Sequence, residues 1–161
     1  MSALEASASP DTGLVRMRRR VRWGECDPAG VVYTPRFCDY IVEALDAFME
    51  RLLGVPLQQR MAEIDLGTPA KAMQFVFHHS LRPDQEFDMR VFVSDIRVRS
   101  FDLAMEARDL EGLRLFDAQF SAVCVHRAVR ESRPLPAVLR ERLEAYRASF
   151  PFGNDELDMP P

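Results

Sequence analysis

The sequence lacks the features that mark several common functional classes. Only three of its 161 residues are cysteine, and Cys26, Cys38 and Cys124 are widely spaced, without the pairing that a zinc site needs. We therefore expect reduced thiols. The net charge of −4 gives no overall electrostatic reason to bind nucleic acid.

The sequence also predicts no segment that would direct the protein into or across a membrane. The chain begins without a basic region followed by an apolar one, so the sequence predicts no secretory signal. No uninterrupted apolar run approaches the roughly 20 residues of a membrane span. We therefore expect a cytoplasmic protein that binds neither membranes nor nucleic acid.

The two ends of the chain offer no apolar face to bury. Residues 1–13 are small and polar, and residues 151–161 contain three prolines and three acids. We expect disordered tails in both places. A chain of this length has one core, so residues 14–150 are expected to form a single domain.

Hydrophobic periodicity in the first third of the domain predicts a strand and a long helix. Apolar and basic residues alternate over residues 15–23, which predicts a half-buried strand with Trp23 on its buried side. Apolar residues recur at three- and four-residue steps over residues 37–52, which predicts an amphipathic helix. Thr34 is expected as its N-cap and Pro35 as its first residue.

The remaining pattern predicts four strands and two short helices, hence an α+β protein. A short helix is expected over residues 57–64, and a long strand over residues 67–82 with His78 and His79 central in it and on opposite faces. Three more strands contain Phe87, Phe101 and Leu115, and a short helix follows Pro136. The order β-α-β-β-β-β predicts an antiparallel sheet with the long helix on one face.

One continuous motif resembles a known family. Residues 21–35 read Val-Arg-Trp-Gly-Glu-Cys-Asp-Pro-Ala-Gly-Val-Val-Tyr-Thr-Pro, similar to the segment Gly-Asp-Cys-Asp-Pro-Ala-Gly-Ile-Val of the 4-hydroxybenzoyl-CoA thioesterase family. Residues 67–69 and 99–101 resemble two further elements of that family, and together the matches span roughly residues 15–130. The resemblance implies the hotdog fold, in which an antiparallel sheet wraps one long central helix. It also implies a homodimer, commonly paired into a tetramer, with active sites between subunits.

The resemblance implies Asp27 as the catalytic carboxylate, either attacking a thioester or activating water. From the residues alone, Asp27 could instead only stabilise the Asp-Pro-Ala-Gly turn. The backbone N–H of Thr34 is the expected oxyanion donor, because a helix N-terminus has free amides and Pro35 has none to give. Glu25 is expected to be a solvated loop acid, with a working acid as the alternative.

Substrate contacts follow from the same resemblance. Arg97 and Arg99 match basic positions that meet the phosphates of CoA in the family, although arginines on any solvated strand face would look the same. Ser100, beside them, and Tyr33, beside the expected oxyanion donor, are further expected contacts.

The acid that meets the phenol of the substrate in the hydroxybenzoyl enzyme has no clear match here. In an alignment without gaps, the position of this acid corresponds to Val42, and a shift of one residue in the alignment would place it at Glu43. Glu43 is therefore a candidate contact, or else an edge residue of the helix. His78, His79 and His126 are expected to be structural.

The leading hypothesis is hydrolysis of an acyl-CoA thioester, with an aromatic, hydroxybenzoyl-like acyl group among the candidates, without a metal or redox cofactor. One alternative is a non-catalytic acyl-CoA sensor, which would not need Asp27. The other is a hotdog hydratase or dehydratase, which usually relies on a histidine paired with an acid.

Overall fold

The computed structural model describes residues 13–153, which form a five-stranded sheet and three α-helices. In chain order the elements are β1 (Arg16–Arg20), α1 (Arg36–Leu53), α2 (Leu57–Glu63), β2 (Ala70–Phe77), β3 (Glu86–Ile96), β4 (Ser100–Asp109), β5 (Arg114–Val123) and α3 (Ala137–Ser149). A short 3₁₀ turn spans Trp23–Glu25. The predicted tails, residues 1–13 and 151–161, fall largely outside the described residues, so the domain bounds stay predictions.

The sheet is antiparallel, as the sequence predicts, and its strand order is β1-β3-β4-β5-β2. Its register aligns Met89 of β3 with Met17 of β1 on one side and with Ala107 of β4 on the other. Alternate side chains of β3 are buried, so one face of the sheet carries the core. The β4–β5 link turns at Gly112, whose φ of 93° suits a residue without a Cβ.

The long helix α1 packs on this core face, which confirms the predicted amphipathic helix. The ring of Phe37 in its first turn lies 4.8 Å from the ring of Phe77 and 5.0 Å from that of Phe116. The helix begins at Arg36, one residue later than predicted, with Pro35 at the N-cap position and no side-chain cap. The side-chain cap predicted for Thr34 is therefore wrong. Backbone bonds replace it, because the Arg36 N–H donates to the Tyr33 carbonyl at 2.8 Å.

Two strand predictions fail at their ends. Trp23, expected on the buried side of the first strand, is 84% exposed because β1 ends at Arg20 and the chain turns into the 3₁₀ segment. The strand predicted over residues 67–82 covers only Ala70–Phe77. His78 and His79 both donate their backbone N–H to the Leu115 carbonyl, at 2.9 and 3.0 Å, so a bulge ends the regular pairing there.

The C-terminal helix α3 closes the edge of the sheet beside β1 and β3. The hydroxyl of Tyr146 accepts a hydrogen bond from the Val15 N–H at 2.9 Å and donates one to the Val91 carbonyl at 2.8 Å. Burial raises the pKa of Tyr146 to about 12, so the hydroxyl keeps its proton for the second bond. Among residues 13–153 no helix has the length and apolar character needed to cross a membrane.

Removing this hydroxyl should destabilise the fold. In Tyr146→Phe the N–H of Val15 and the carbonyl of Val91 lose a buried partner, and we expect a loss of about 2 kcal/mol in the free energy of unfolding. Urea denaturation measures it. Tyr33→Phe is the matched control, because Tyr33 is 54% exposed and should unfold like the wild type. Equal stability of Tyr146→Phe and wild type would contradict the prediction.

Candidate active site

Asp27 lies in a tight hairpin between β1 and α1. The Gly30 N–H donates to the Asp27 carbonyl and the Asp27 N–H donates to the Val31 carbonyl, both at 2.9 Å. Gly30 has a φ of 77°, which this turn requires and which favours glycine. Oδ1 of Asp27 accepts the Ala29 N–H at 2.8 Å. Asp27 therefore does stabilise the turn, but this uses only Oδ1 of its carboxylate. Oδ2 has no partner among the described residues.

The hairpin leads directly to the N-terminus of α1. Cys26 and Val32 form an isolated antiparallel bridge, and the Tyr33 N–H donates to the Glu25 carbonyl at 2.9 Å. The Thr34 N–H, at the positive end of the helix, donates to no acceptor within residues 13–153. One short segment of the chain thus carries an unengaged carboxylate oxygen at Asp27 and an unpaired backbone amide at Thr34.

An open cleft of about 240 Å³ adjoins this helix end. Its lining comprises two groups, Val31, Val32, Thr34 and Phe37 from the α1 side and Phe77, His78, His79, Ser80 and Leu81 from the segment that ends β2. The cleft is smaller than the roughly 300–1,000 Å³ that is typical of sites for drug-sized ligands. Asp27 itself does not line the cleft, but its backbone N–H donates to the carbonyl of Val31, which does.

Both histidines border this cleft, contrary to the expectation that they point to opposite faces of a strand. The strand bulge at Leu115 brings the two neighbouring residues to the same place. The sequence does carry a signal, because His78-His79-Ser80 is a polar run that interrupts the apolar residues before the turn at Pro83 and Asp84.

Arg19 ties the Asp27 loop to α1 through a partly buried ion network. Its guanidinium binds Glu25 and Glu43 and lies 4.4 Å from the centre of the Tyr40 ring. The Tyr40 hydroxyl donates to Glu25 at 3.0 Å. Burial of Glu25 opposes its ionisation, but the Arg22 N–H and Arg19 outweigh it and lower the pKa of Glu25 below its ordinary value. Glu25 is a paired structural acid, so the expected solvated loop acid is wrong.

Sequence reasoning missed this network although the sequence contains its signal. In the alternation of β1, Arg19 falls on the same side as Met17 and Val21, which are both buried. A charged residue at a core-facing position requires an ionic partner. The network also engages Glu43, the candidate hydroxyl contact, and that role stays a prediction. Tyr33, just before Thr34, is exposed.

The residues predicted to meet the CoA phosphates lie in and after the β3–β4 turn, and none of them lines the cleft. Arg97 donates to both carboxylate oxygens of Asp102, at 2.9 and 2.5 Å, and to Ser100 Oγ at 2.9 Å. Arg99 donates to the Ser132 carbonyl at 2.7 Å and is exposed. Both arginines are exposed, and each is engaged within the chain, Arg97 by an ion pair and Arg99 by a backbone carbonyl, so their contact with phosphate stays a prediction.

Several solved structures share this fold. A variant of 4-hydroxybenzoyl-CoA thioesterase in complex with 4-hydroxybenzoyl-CoA aligns with a TM-score of 0.74 and 20% identity, over 81% of this chain and 98% of that one. A 1,4-dihydroxy-2-naphthoyl-CoA thioesterase from Synechocystis aligns with a TM-score of 0.70 and 22% identity, over 80% and 93%. A hypothetical protein from Staphylococcus aureus in complex with CoA gives 0.78 and 11%, over 87% of both chains.

Identities this low establish the fold alone, and the fold is the hotdog fold. No match was found among curated proteins. A family-level match nevertheless covers most of the chain, from residue 21 to residue 143, and includes the Asp27 hairpin, α1 and all strands except β1. The chain therefore belongs to the Thioesterase-like superfamily.

Proposed function

We propose that the protein is an acyl-CoA thioesterase that hydrolyses a CoA thioester with an aromatic acyl group to a carboxylic acid and free CoA. One observation carries the proposal. The short segment that contains the hairpin and leads into α1 carries both an unengaged carboxylate oxygen, Oδ2 of Asp27, and an unpaired backbone N–H at Thr34. A carboxylate and a helix-end amide are the two groups that thioester hydrolysis needs.

Asp27 acts in one of two ways. As a nucleophile it attacks the carbonyl carbon, the C–S bond breaks, CoA leaves as the thiolate, and water then hydrolyses the resulting anhydride. As a general base it takes a proton from the water that attacks the same carbon. In both routes negative charge develops on the carbonyl oxygen, where the Thr34 N–H stabilises it. Neither route needs a metal or a redox cofactor.

A homo-oligomer is part of the proposal. β2 is an edge strand whose outer side has no partner strand among the described residues, and Phe77 at its end is 49% exposed. Two chains paired at this edge would form a dimer, and two dimers a tetramer. Contacts from Tyr33, Arg97, Arg99 and Ser100 would then reach a substrate bound between subunits. Light scattering should give two or four times the 18.4 kDa of one chain.

The cleft histidines support one second candidate, a hotdog hydratase or dehydratase, because His78 pairs with the buried Asp117 at 2.9 Å. The intact Asp27 hairpin favours hydrolysis and also disfavours a non-catalytic sensor. We further propose a cytoplasmic location with no membrane or nucleic-acid partner.

Free-thiol release from a panel of CoA esters tests the proposal. We expect the wild-type protein to release CoA from benzoyl-, hydroxybenzoyl- or phenylacetyl-CoA faster than from straight-chain acyl-CoAs. An unsaturated acyl-CoA assayed in parallel tests the second candidate, because hydration removes the absorbance of the enoyl thioester without releasing thiol. Thiol release from none of the esters would contradict the proposed function.

A further inference from the structure

A second cleft, of about 230 Å³, lies between the C-terminal end of α1 and the helix α3. α1 has 18 residues, so at about 1.5 Å per residue its two ends are roughly 27 Å apart. The cleft beside Thr34 adjoins the first turn of α1, whereas Arg51 and Leu52 of the second cleft belong to its last turn. The second cleft is therefore a separate site, at the far end of α1 from the Asp27 hairpin.

Two arginine side chains end at the second cleft. Arg142 of α3 crosses to α1, where its Nη1 donates to the backbone carbonyl of Leu52. A Cβ added to Gly13 would meet Nη2 of Arg51 at 3.6 Å and Cζ of the Phe150 ring at 3.3 Å, so this guanidinium and this ring lie side by side. Leu52 and Phe150 both line the cleft, which places both guanidinium groups at its wall.

The charge of these two arginines is not balanced locally. No acid stands three or four residues from Arg51 or Arg142, which is the spacing at which a helix pairs opposite charges. By contrast, Arg60 and Arg140 each pair with a glutamate of their own helix. Neither Arg51 nor Arg142 forms an ion pair within residues 13–153, and the lining of the cleft in that range contains no carboxylate. The cleft therefore carries positive charge.

Part of this arrangement is structural. A cation near the C-terminus of a helix interacts favourably with the helix dipole, and Arg142 satisfies a carbonyl that the end of α1 leaves without a helical partner. A guanidinium group has five N–H donors, however, and the Leu52 carbonyl occupies only one nitrogen of Arg142. The other donors of Arg142, and those of Arg51, have no partner among the described residues. They can bind a carboxylate, a planar anion that a guanidinium group holds through two parallel hydrogen bonds.

Part of the cleft wall is aromatic. The rings of Tyr146 and Phe150 both line the cleft, with their centres 4.9 Å apart. The Tyr146 hydroxyl is already engaged by Val15 and Val91, so Tyr146 offers its ring to the cleft and not a polar group. A cavity of about 150 Å³ is enough to hold benzene, so the volume here accommodates one aromatic ring with a small head group.

We propose that the second cleft binds a small aromatic carboxylate, with the carboxylate between Arg51 and Arg142 and the ring against Phe150. The inference does not depend on the proposed function, although the carboxylic acid that the proposed reaction releases belongs to the same class. A hydrogen bond between charged groups changes an equilibrium by roughly 10-fold or more, which sets the size of the expected effects. A phosphate ion would share the cationic partners but not the aromatic wall.

Titration with 4-fluorobenzoate, followed by fluorine NMR, tests the inference. We expect saturable binding to the wild type, and roughly 10-fold weaker binding to both Arg51→Gln and Arg142→Gln. The uncharged 4-fluorobenzyl alcohol should bind the wild type about 10-fold more weakly than the acid does. Arg147→Gln is the matched control, because it removes the same charge from an exposed position on α3 outside the cleft and should leave the affinity unchanged.

Thermal unfolding checks that the variants are folded. Arg51 is exposed and bonds to no described residue, so Arg51→Gln decides the inference alone if Arg142→Gln fails to fold. Unchanged affinity in Arg51→Gln, equal losses in Arg51→Gln and Arg147→Gln, or no saturable binding to the wild type would overturn the inference. Inorganic phosphate that displaces the ligand as effectively as benzoate does would also overturn it, because the aromatic wall would then contribute nothing. None of these outcomes bears on thiol release, which tests the thioesterase proposal separately.

Discussion

Asp27→Asn should lower kcat/KM for CoA-ester hydrolysis by about 10³-fold without unfolding the protein. An amide can neither attack the carbonyl carbon nor take a proton from water. The asparagine Oδ1 can still accept the Ala29 N–H, so the hairpin keeps its hydrogen bonds and the melting temperature should stay close to that of the wild type. Steady-state thiol release and thermal unfolding measure the two effects.

Asp39→Asn provides the matched control for this experiment. Asp39 lies in the first turn of α1 and pairs with Arg36 at 3.1 Å, in an ion pair whose side chains are 50% and 56% exposed. The substitution removes the same charge near the same helix end and should leave kcat/KM within a few-fold of the wild type. Equal losses in the two variants would indicate a general electrostatic effect and contradict the specific role of Asp27.

Arg19→Met should cost about 3 kcal/mol of the free energy of unfolding. The side chains of Arg19 and Glu25 are only 11% and 12% exposed, so removing the guanidinium leaves a poorly solvated carboxylate without its counter-ion. Glu43 loses the same partner, and Tyr40 loses the cation over its ring. Guanidinium chloride denaturation at neutral pH measures the loss.

Arg18→Met is the control that separates burial from charge. Arg18 neighbours Arg19 on β1 and pairs with Asp88 at 3.0 Å, but its side chain is 52% exposed. An exposed ion pair contributes little, so we expect a loss of about 0.5 kcal/mol. Similar losses in Arg18→Met and Arg19→Met would contradict the structural role of the network.

The regular elements could be predicted because their periodicity reflects burial on one side. α1 buries Phe37, Tyr40, Ile41 and its later apolar residues on one face, and β3 alternates as a half-buried strand should. Trp23 and the length of β2 could not be predicted in this way. In both cases the apolar pattern in the sequence continues beyond the residue where the strand ends. The end of each strand is set by where its hydrogen-bonded neighbour strand ends, which the pattern does not reveal.

The parts of the candidate site that are neighbours in sequence could be predicted to lie close together, while their catalytic roles stay predictions. Asp27 and Thr34 belong to one short motif, and the structure brings an unengaged carboxylate oxygen and an unpaired amide into one hairpin and helix end. The network of Arg19 with Glu43 and the bond from His79 to the Arg114 carbonyl join residues 24 and 35 positions apart. The alternation of β1 indicates that Arg19 needs an ionic partner, but local spacing does not identify the partner, which appears only in the fold.

A crystal structure of Asp27→Asn with a bound aromatic acyl-CoA tests the central claim most directly. We predict that the thioester carbonyl oxygen lies about 2.7–3.1 Å from the Thr34 nitrogen, with the side chain of residue 27 against the carbonyl carbon. A CoA ester bound with its carbonyl away from both Thr34 and residue 27 would contradict the claim.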